Sequence, residues 1–257
     1  MSIVVIWSLL ATLGTWLITA LGSATVIFFR QVNQKILNIA MGFSAGVMIA
    51  ASFWSLLQPA IERAEVTLET PAWLVVTIGF LCGAVFMWAT DKTVAIARKG
   101  RCKNRILLLL LSITLHNIPE GLAIGVAFGS LGLCYSQEAF WGAVSVAVGI
   151  GLQNFPEGAA VSLPLRREGY SRRKSFLLGQ ASGIVEPISG VLGALGAIYI
   201  QTLLPFALSF AAGAMILVAV HELIPECQEN RNAHPYFATA GIVAGFACMM
   251  LLDVALG

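Results

Sequence analysis

Eight long apolar runs, joined by short connections, leave this chain few ways to fold. They cover residues 4–29, 36–61, 72–96, 105–129, 138–163, 174–199, 202–224 and 235–256, and each reaches the roughly 20 residues that a helix needs to cross a hydrocarbon layer. Charged residues make up only 11% of the chain, against about 25% in soluble domains, too few to solvate the surface of a chain this long. The bilayer is the expected solvent, and in it a backbone must satisfy its own polar groups as helices or closed barrels. Runs of this length predict helices: an all-α membrane protein with eight transmembrane helices, one domain over residues 1–257. No Lys or Arg precedes Arg30, so the first run lacks the basic start of a secretory signal and reads as a membrane helix. Cys82, Cys102, Cys134, Cys227 and Cys248 show no paired spacing and read as small apolar residues.

Thirteen of the 15 Lys and Arg residues fall at odd-numbered connections, among them Arg30, Lys35, the run from Arg98 to Arg105, Arg166 to Lys174, and Arg231. The even-numbered connections hold Arg63 beside Glu62, Glu65 and Glu69. The positive-inside rule places the odd connections in the cytoplasm and both termini on the outer side. The net charge of +2 points to no nucleic-acid partner. Small residues recur within the runs, as in Gly42 to Gly46 and Ala211 to Ala214, and would let helices approach closely in lipid.

Against this background the fourth and fifth runs carry a repeated polar motif. Residues 116–121 read His-Asn-Ile-Pro-Glu-Gly and residues 153–158 read Gln-Asn-Phe-Pro-Glu-Gly, 37 positions apart. His116, Asn117 and Glu120 are spaced to project from one helical face, as are Gln153, Asn154 and Glu157. The sixth run adds Glu186. An ionised side chain at mid-bilayer costs about 2.5–3.5 kcal/mol, and no Lys or Arg lies between residues 106 and 165. The carboxylates must be protonated, or they must face a cavity that holds a cation. One imidazole, three carboxylates and amide oxygens suit a borderline divalent metal such as Zn²⁺ and its transition-metal neighbours; oxygen alone would suit Mg²⁺ or Ca²⁺. Pro119 and Pro156 deprive the carbonyls of Leu115 and Leu152 of their helical partners, which predicts a kink beside each triad. Gly121 and Gly158 permit close backbone approach. Interrupted helices meeting at the midplane are how carriers build substrate sites. Two other classes stand beside a metal carrier: a proton-coupled carrier of an organic substrate, with the glutamates as relays, and a membrane-embedded metalloenzyme. The latter is weakened at His221-Glu222, where position 225 is proline and no second histidine follows on that turn.

The motif His-Asn-x-Pro-Glu-Gly resembles the ZIP (Zrt/Irt-like) family of divalent metal transporters, in particular its GufA-like and ZupT-like prokaryotic branches, over essentially the whole chain. The resemblance implies helices arranged 3+2+3, with an inverted repeat around helices four and five, and it implies no enzyme activity. It implies a binuclear centre at the midplane: one site from His116, Glu120, Gln153 and Glu157, the other from Asn117, Asn154 and Glu186 with the two shared glutamates. Many family members have His at the position of Gln153 and some have Asp at that of Asn154; neutral amides here imply a weaker second site. The third connection also lacks the histidine-rich run of many relatives. The resemblance further implies uptake of zinc into the cytoplasm, with Cd²⁺, Fe²⁺ and Mn²⁺ as further cargo. It also implies a prokaryotic cytoplasmic (inner) membrane location and a homodimer.

Met48, Ala51, Ser55 and Glu62 are spaced as one helical stripe; in relatives this stripe lines the outer access route. On the cytoplasmic side, His221, Glu222, Glu226 and His234 are expected to receive ions leaving the centre.

Overall fold

A backbone that cannot bond to water must bond to itself, and the computed structural model of the chain follows that rule. It describes residues 3–28, 34–100, 105–133, 135–167, 169–228 and 236–256, and among them there are helices and no strands. The α-helices are α1 (Ile3–Phe28), α2 (Gln34–Ala51), α3 (Gln58–Thr67), α4 (Ala72–Gly100), α5 (Arg105–Ser130), α6 (Gln137–Arg167), α7 (Arg172–Ala181), α8 (Val185–Tyr199), α9 (Leu204–Val218), α10 (Ile224–Gln228) and α11 (Tyr236–Leu256). Six stretches of the described residues are long and apolar enough to cross a membrane: Ile3–Phe28, Lys35–Thr67, Ala72–Thr93, Arg172–Tyr199, Leu204–Leu223 and Tyr236–Ala255. The other two expected runs coincide with α5 and α6, the helices that carry the polar motif. Arg30, Arg101, Lys103 and Arg231 of the basic connections lie outside the described residues.

Three stretches change helix type without ending. α2 passes into α3 through π turns at Ser52–Leu57, α9 into α10 through π turns at Ala219–Leu223, and α7 into α8 through a 3₁₀ turn at Ser182–Ile184. Each change precedes a proline, at Pro59, Pro225 and Pro187. The missing N–H leaves a carbonyl one turn earlier without its helical partner, and the backbone shifts its bonding pattern there. By contrast, α5 and α6 run through Pro119 and Pro156 with no change of type.

Helices sit side by side in four principal pairs: α1 with α6, α2 with α11, α4 with α9, and α5 with α8. In lipid no hydrophobic force drives such pairing, so contact area and close backbone approach decide it. Glycine supplies that approach. A Cβ on Gly46 of α2 would stand 2.0 Å from the carbonyl oxygen of Ile242 in α11, and one on Gly83 of α4 would stand 1.9 Å from that of Phe210 in α9. The buried apolar core lies between these pairs and includes Met48, Ile124, Ile150, Met215 and Met249. Much of the remaining apolar surface, such as Leu17, Leu21, Trp73, Val85 and Leu251, is exposed, as a lipid-facing surface should be.

Gly83→Ala is expected to destabilise the protein by about 1–3 kcal/mol, because backbone rather than a side-chain tip blocks the added methyl. Gly14→Ala meets nothing within 4 Å and should be neutral, or stabilise by up to about 1 kcal/mol through helix propensity. Thermal unfolding in detergent micelles separates the two; equal melting temperatures would contradict the packing described.

Candidate metal centre

The centre is built where α5 and α6, each carrying its motif, meet α8 and α1. Gly121 lets α5 touch α8: a Cβ there would stand 2.1 Å from Ser189 Oγ and 2.5 Å from the carbonyl oxygen of Glu186. Gly158 does the same for α6 against α1, its Cβ position 2.1 Å from the carbonyl oxygen of Thr19. The glycine closing each motif thus draws its helix onto a neighbour, and the polar residues one turn earlier are brought within hydrogen-bond reach.

Two groups result. In the first, Gln153 Nε2 of α6 donates to Glu120 Oε1 of α5 at 2.6 Å. In the second, Glu186, in the first turn of α8, accepts Asn154 Nδ2 at 2.9 Å and Asn117 Nδ2 at 3.3 Å. Asn117, Glu120, Gln153, Asn154 and Glu186 are all at most 2% exposed. Glu157 is partly buried and lies within electrostatic reach of both Glu120 and Glu186. His116 lies in α5, but its side chain is outside the described residues.

What these bonds leave over is decisive. Asn117 Oδ1, Glu120 Oε2, Gln153 Oε1 and Asn154 Oδ1 are buried and have no hydrogen-bond partner. All four are oxygens and all are acceptors. A buried acceptor without a partner costs about 1–3 kcal/mol, so four of them on helices in contact form a set that a donor or a cation would satisfy. A divalent cation is one group that oxygens of this kind can hold. The donor set is mixed: among the described residues no three His, Cys, Asp or Glu side chains close on one point, and amide oxygens stand where further charged ligands could have been.

Side chains outside the expected set complete the picture. Thr15 and Thr19 of α1 reach Glu186, with Thr15 Oγ1 donating to Oε2 at 2.5 Å and Thr19 Oγ1 to Oε1 at 3.5 Å. Their signal in the sequence is a hydroxyl stripe, Ser8, Thr12, Thr15, Thr19 and Ser23, all buried, at spacings of three and four. Asp253 near the end of α11 accepts Ser55 Oγ at 2.9 Å and Ser145 Oγ at 3.0 Å, which sets a carboxylate beside the expected outer stripe. On that stripe Met48, Ala51 and Ser55 are buried, whereas Glu62 is exposed and accepts Gln58 Nε2 at 3.1 Å. The π turns between Ser52 and Leu57 change the angular advance per residue, so spacing counted along an unbroken α-helix does not carry through to Glu62. Of the expected cytoplasmic group, His221 is exposed and Glu222 partly buried, both in the π turns before α10. The side chain of Glu226 and all of His234 lie outside the described residues.

The family model described as ZIP Zinc transporter matches residues 2–105 and 97–253. The chain is 39% identical over 332 residues to "Zinc transporter ZIP11" of Xenopus tropicalis, with 98% of each chain covered. It is 36% identical over 263 residues to "Zinc transporter GufA" of Myxococcus xanthus, covering 97% of this chain and 98% of the relative. It is 36% identical over 250 residues to "Zinc transporter ZIPB" of Bordetella bronchiseptica, covering 93% and 78%. The 332-position alignment exceeds the 257 residues of this chain, so the frog relative carries inserted residues. The two stretches matched by the family model meet at residues 97–105, in the third connection.

Asn154→Leu is expected to remove a donor from Glu186 and to lower stability by about 1–3 kcal/mol, the cost of stripping a buried acceptor. A melting temperature in detergent equal to wild type would mean that this bond carries no weight.

Proposed function

Because the chain belongs to the ZIP family of zinc transporters, we propose that it takes divalent transition-metal ions, zinc first among them, into the cytoplasm through the centre on α5, α6 and α8. The four unpartnered buried oxygens are the observation that carries this reading, since they can hold a cation and nothing else among the described residues meets them. The first ion position uses His116, Glu120, Gln153 and Glu157. The second uses Asn117, Asn154 and Glu186, with the two glutamates shared. Two neutral amides make the second position the weaker one. A set with one imidazole and no thiolate discriminates modestly, so Cd²⁺, Fe²⁺ and Mn²⁺ are also cargo.

In this reading α5 and α6 cross the membrane as well, giving eight crossings, with both termini outside a prokaryotic cytoplasmic membrane. The pairing of helices supports an inverted 3+2+3 repeat. Exchanging α1, α2 and α4 with α8, α9 and α11, and α5 with α6, turns the pair α1–α6 into α8–α5 and the pair α2–α11 into α9–α4. The same exchange relates the π turns at Ser52–Leu57 to those at Ala219–Leu223. The centre then lies near the midplane between the repeats, as in other carriers of this design. Ions reach it along Met48, Ala51 and Ser55, drawn by Glu62 at the mouth and by Asp253 beside Ser55. They leave past His221, Glu222, Glu226 and His234. The carrier works as a homodimer.

Passage requires the ion to shed water, to be held by these oxygens and to be released when one helix group moves against the other; binding must replace hydration yet still permit release. Glu120→Ala should abolish uptake of radioactive zinc into proteoliposomes, and unchanged flux would overturn the assignment. Glu157→Ala should depress uptake of Zn²⁺, Cd²⁺, Fe²⁺ and Mn²⁺ alike. Acidifying the outer solution should slow uptake, because protons compete for the ligands. Flux of an organic solute without metal would favour the proton-coupled alternative instead.

A further inference from the structure

Glu186 is more heavily bonded than a ligand needs to be. Its Oε2 accepts Thr15 Oγ1 at 2.5 Å and Asn154 Nδ2 at 2.9 Å, and its Oε1 accepts Asn117 Nδ2 at 3.3 Å and Thr19 Oγ1 at 3.5 Å. Both amide groups are also used up on the N–H side. Asn117 Nδ2 gives its second proton to the carbonyl of Ser182 at 3.2 Å, and Asn154 Nδ2 gives its own to the carbonyl of Thr15 at 3.3 Å. An amide whose two protons are committed in one direction must turn its oxygen the other way, and Asn117 Oδ1 and Asn154 Oδ1 are the oxygens left without partners. A flipped amide would set oxygen against the acceptor-only carboxylate.

We infer that Thr15 of α1 is a positioning residue for the metal centre: it holds Glu186, and through Glu186 it makes Asn117 and Asn154 present oxygen rather than N–H to the ion. Thr15 has one hydroxyl proton and two acceptors in reach, the Thr12 carbonyl at 3.0 Å and Glu186 Oε2 at 2.5 Å. The nearer acceptor wins. For Thr19 the order is reversed, 3.3 Å to the Thr15 carbonyl against 3.5 Å to Glu186, so Thr19 contributes less. Thr15 serves twice, since its own carbonyl also receives Asn154. The helix that touches no ion thereby sets the polarity of the second ion position.

This rests on the reading that the cluster holds the transported ion, and the test separates the two. Zinc uptake kinetics in proteoliposomes are measured for Thr15→Val, Thr15→Ser, Thr19→Val and Glu120→Ala. Thr15→Val keeps the shape and removes the hydroxyl; it should raise KM for Zn²⁺ by about 10–100-fold, the usual effect of losing a group that orients metal ligands. Thr15→Ser should restore KM, and Thr19→Val should shift it less than Thr15→Val. A purely structural role would lower the maximal rate through loss of folded protein and leave KM alone, and that outcome overturns the inference. Should Thr15→Val fail to fold, Thr15→Ala against Thr15→Ser makes the same comparison. If Glu120→Ala abolishes uptake while Thr15→Val keeps the wild-type KM, the positioning role alone fails. If Glu120→Ala transports normally, the reading of the centre fails with it.

Discussion

The rest of the structure depends on how buried carboxylates are accommodated by neutral donors. No Lys or Arg occurs between residues 106 and 165 or between 175 and 230, and the side chains that bond Glu120 and Glu186 are neutral amides and hydroxyls. Glu120 takes an amide N–H from Gln153, and Glu186 takes donors from Thr15, Thr19, Asn117 and Asn154. Neutral donors stabilise charge in a low-dielectric interior without cancelling it. A Lys or Arg partner would fill the space beside the carboxylate with a cation of its own. An amide partner donates an N–H and brings an oxygen of its own.

That network needs short reach. Amide and hydroxyl side chains are short, so the four helices that supply them must stand unusually close. Gly121 against Glu186 and Ser189, and Gly158 against Thr19, provide the approach. The glycine that ends each motif and the polar residues that begin it are therefore one device. Elsewhere the same use of glycine holds α2 to α11 and α4 to α9. In the bilayer, close backbone contact is the ordinary means of helix association; at the centre it also brings the donors within bonding distance.

The changes of helix type serve the same end at a larger scale. The 3₁₀ turn at Ser182–Ile184 sets Glu186 in the first turn of α8, and the carbonyl of Ser182 in that turn accepts Asn117 Nδ2. The π turns before Pro59 and Pro225 rotate α3 and α10 relative to α2 and α9. On the outer stripe from Met48 to Glu62, Met48, Ala51 and Ser55 are buried and Glu62, beyond the π turns, is exposed.

The helical class, the membrane as solvent and the polar motif at Asn117–Glu120 and Gln153–Glu157 were determined by the sequence alone. Run length and charge depletion act locally along the chain, and an ionisable residue inside an apolar run stands out without any knowledge of its neighbours. Which donors meet which carboxylate was decided by the tertiary structure. Thr15 and Thr19 look like packing residues in an apolar helix until α1 lies against α6 and α8, and Asp253 looks like a helix end until α11 brings it to Ser55 and Ser145. Prolines mark where a bond is missing, but the surrounding contacts decide whether the helix answers with a π turn, with a 3₁₀ turn or, as at Pro119 and Pro156, by running on. Hydrogen bonds between residues more than 150 positions apart, such as that from Thr15 to Glu186, depend on how helices pair, and that is set by small residues spread over the whole chain.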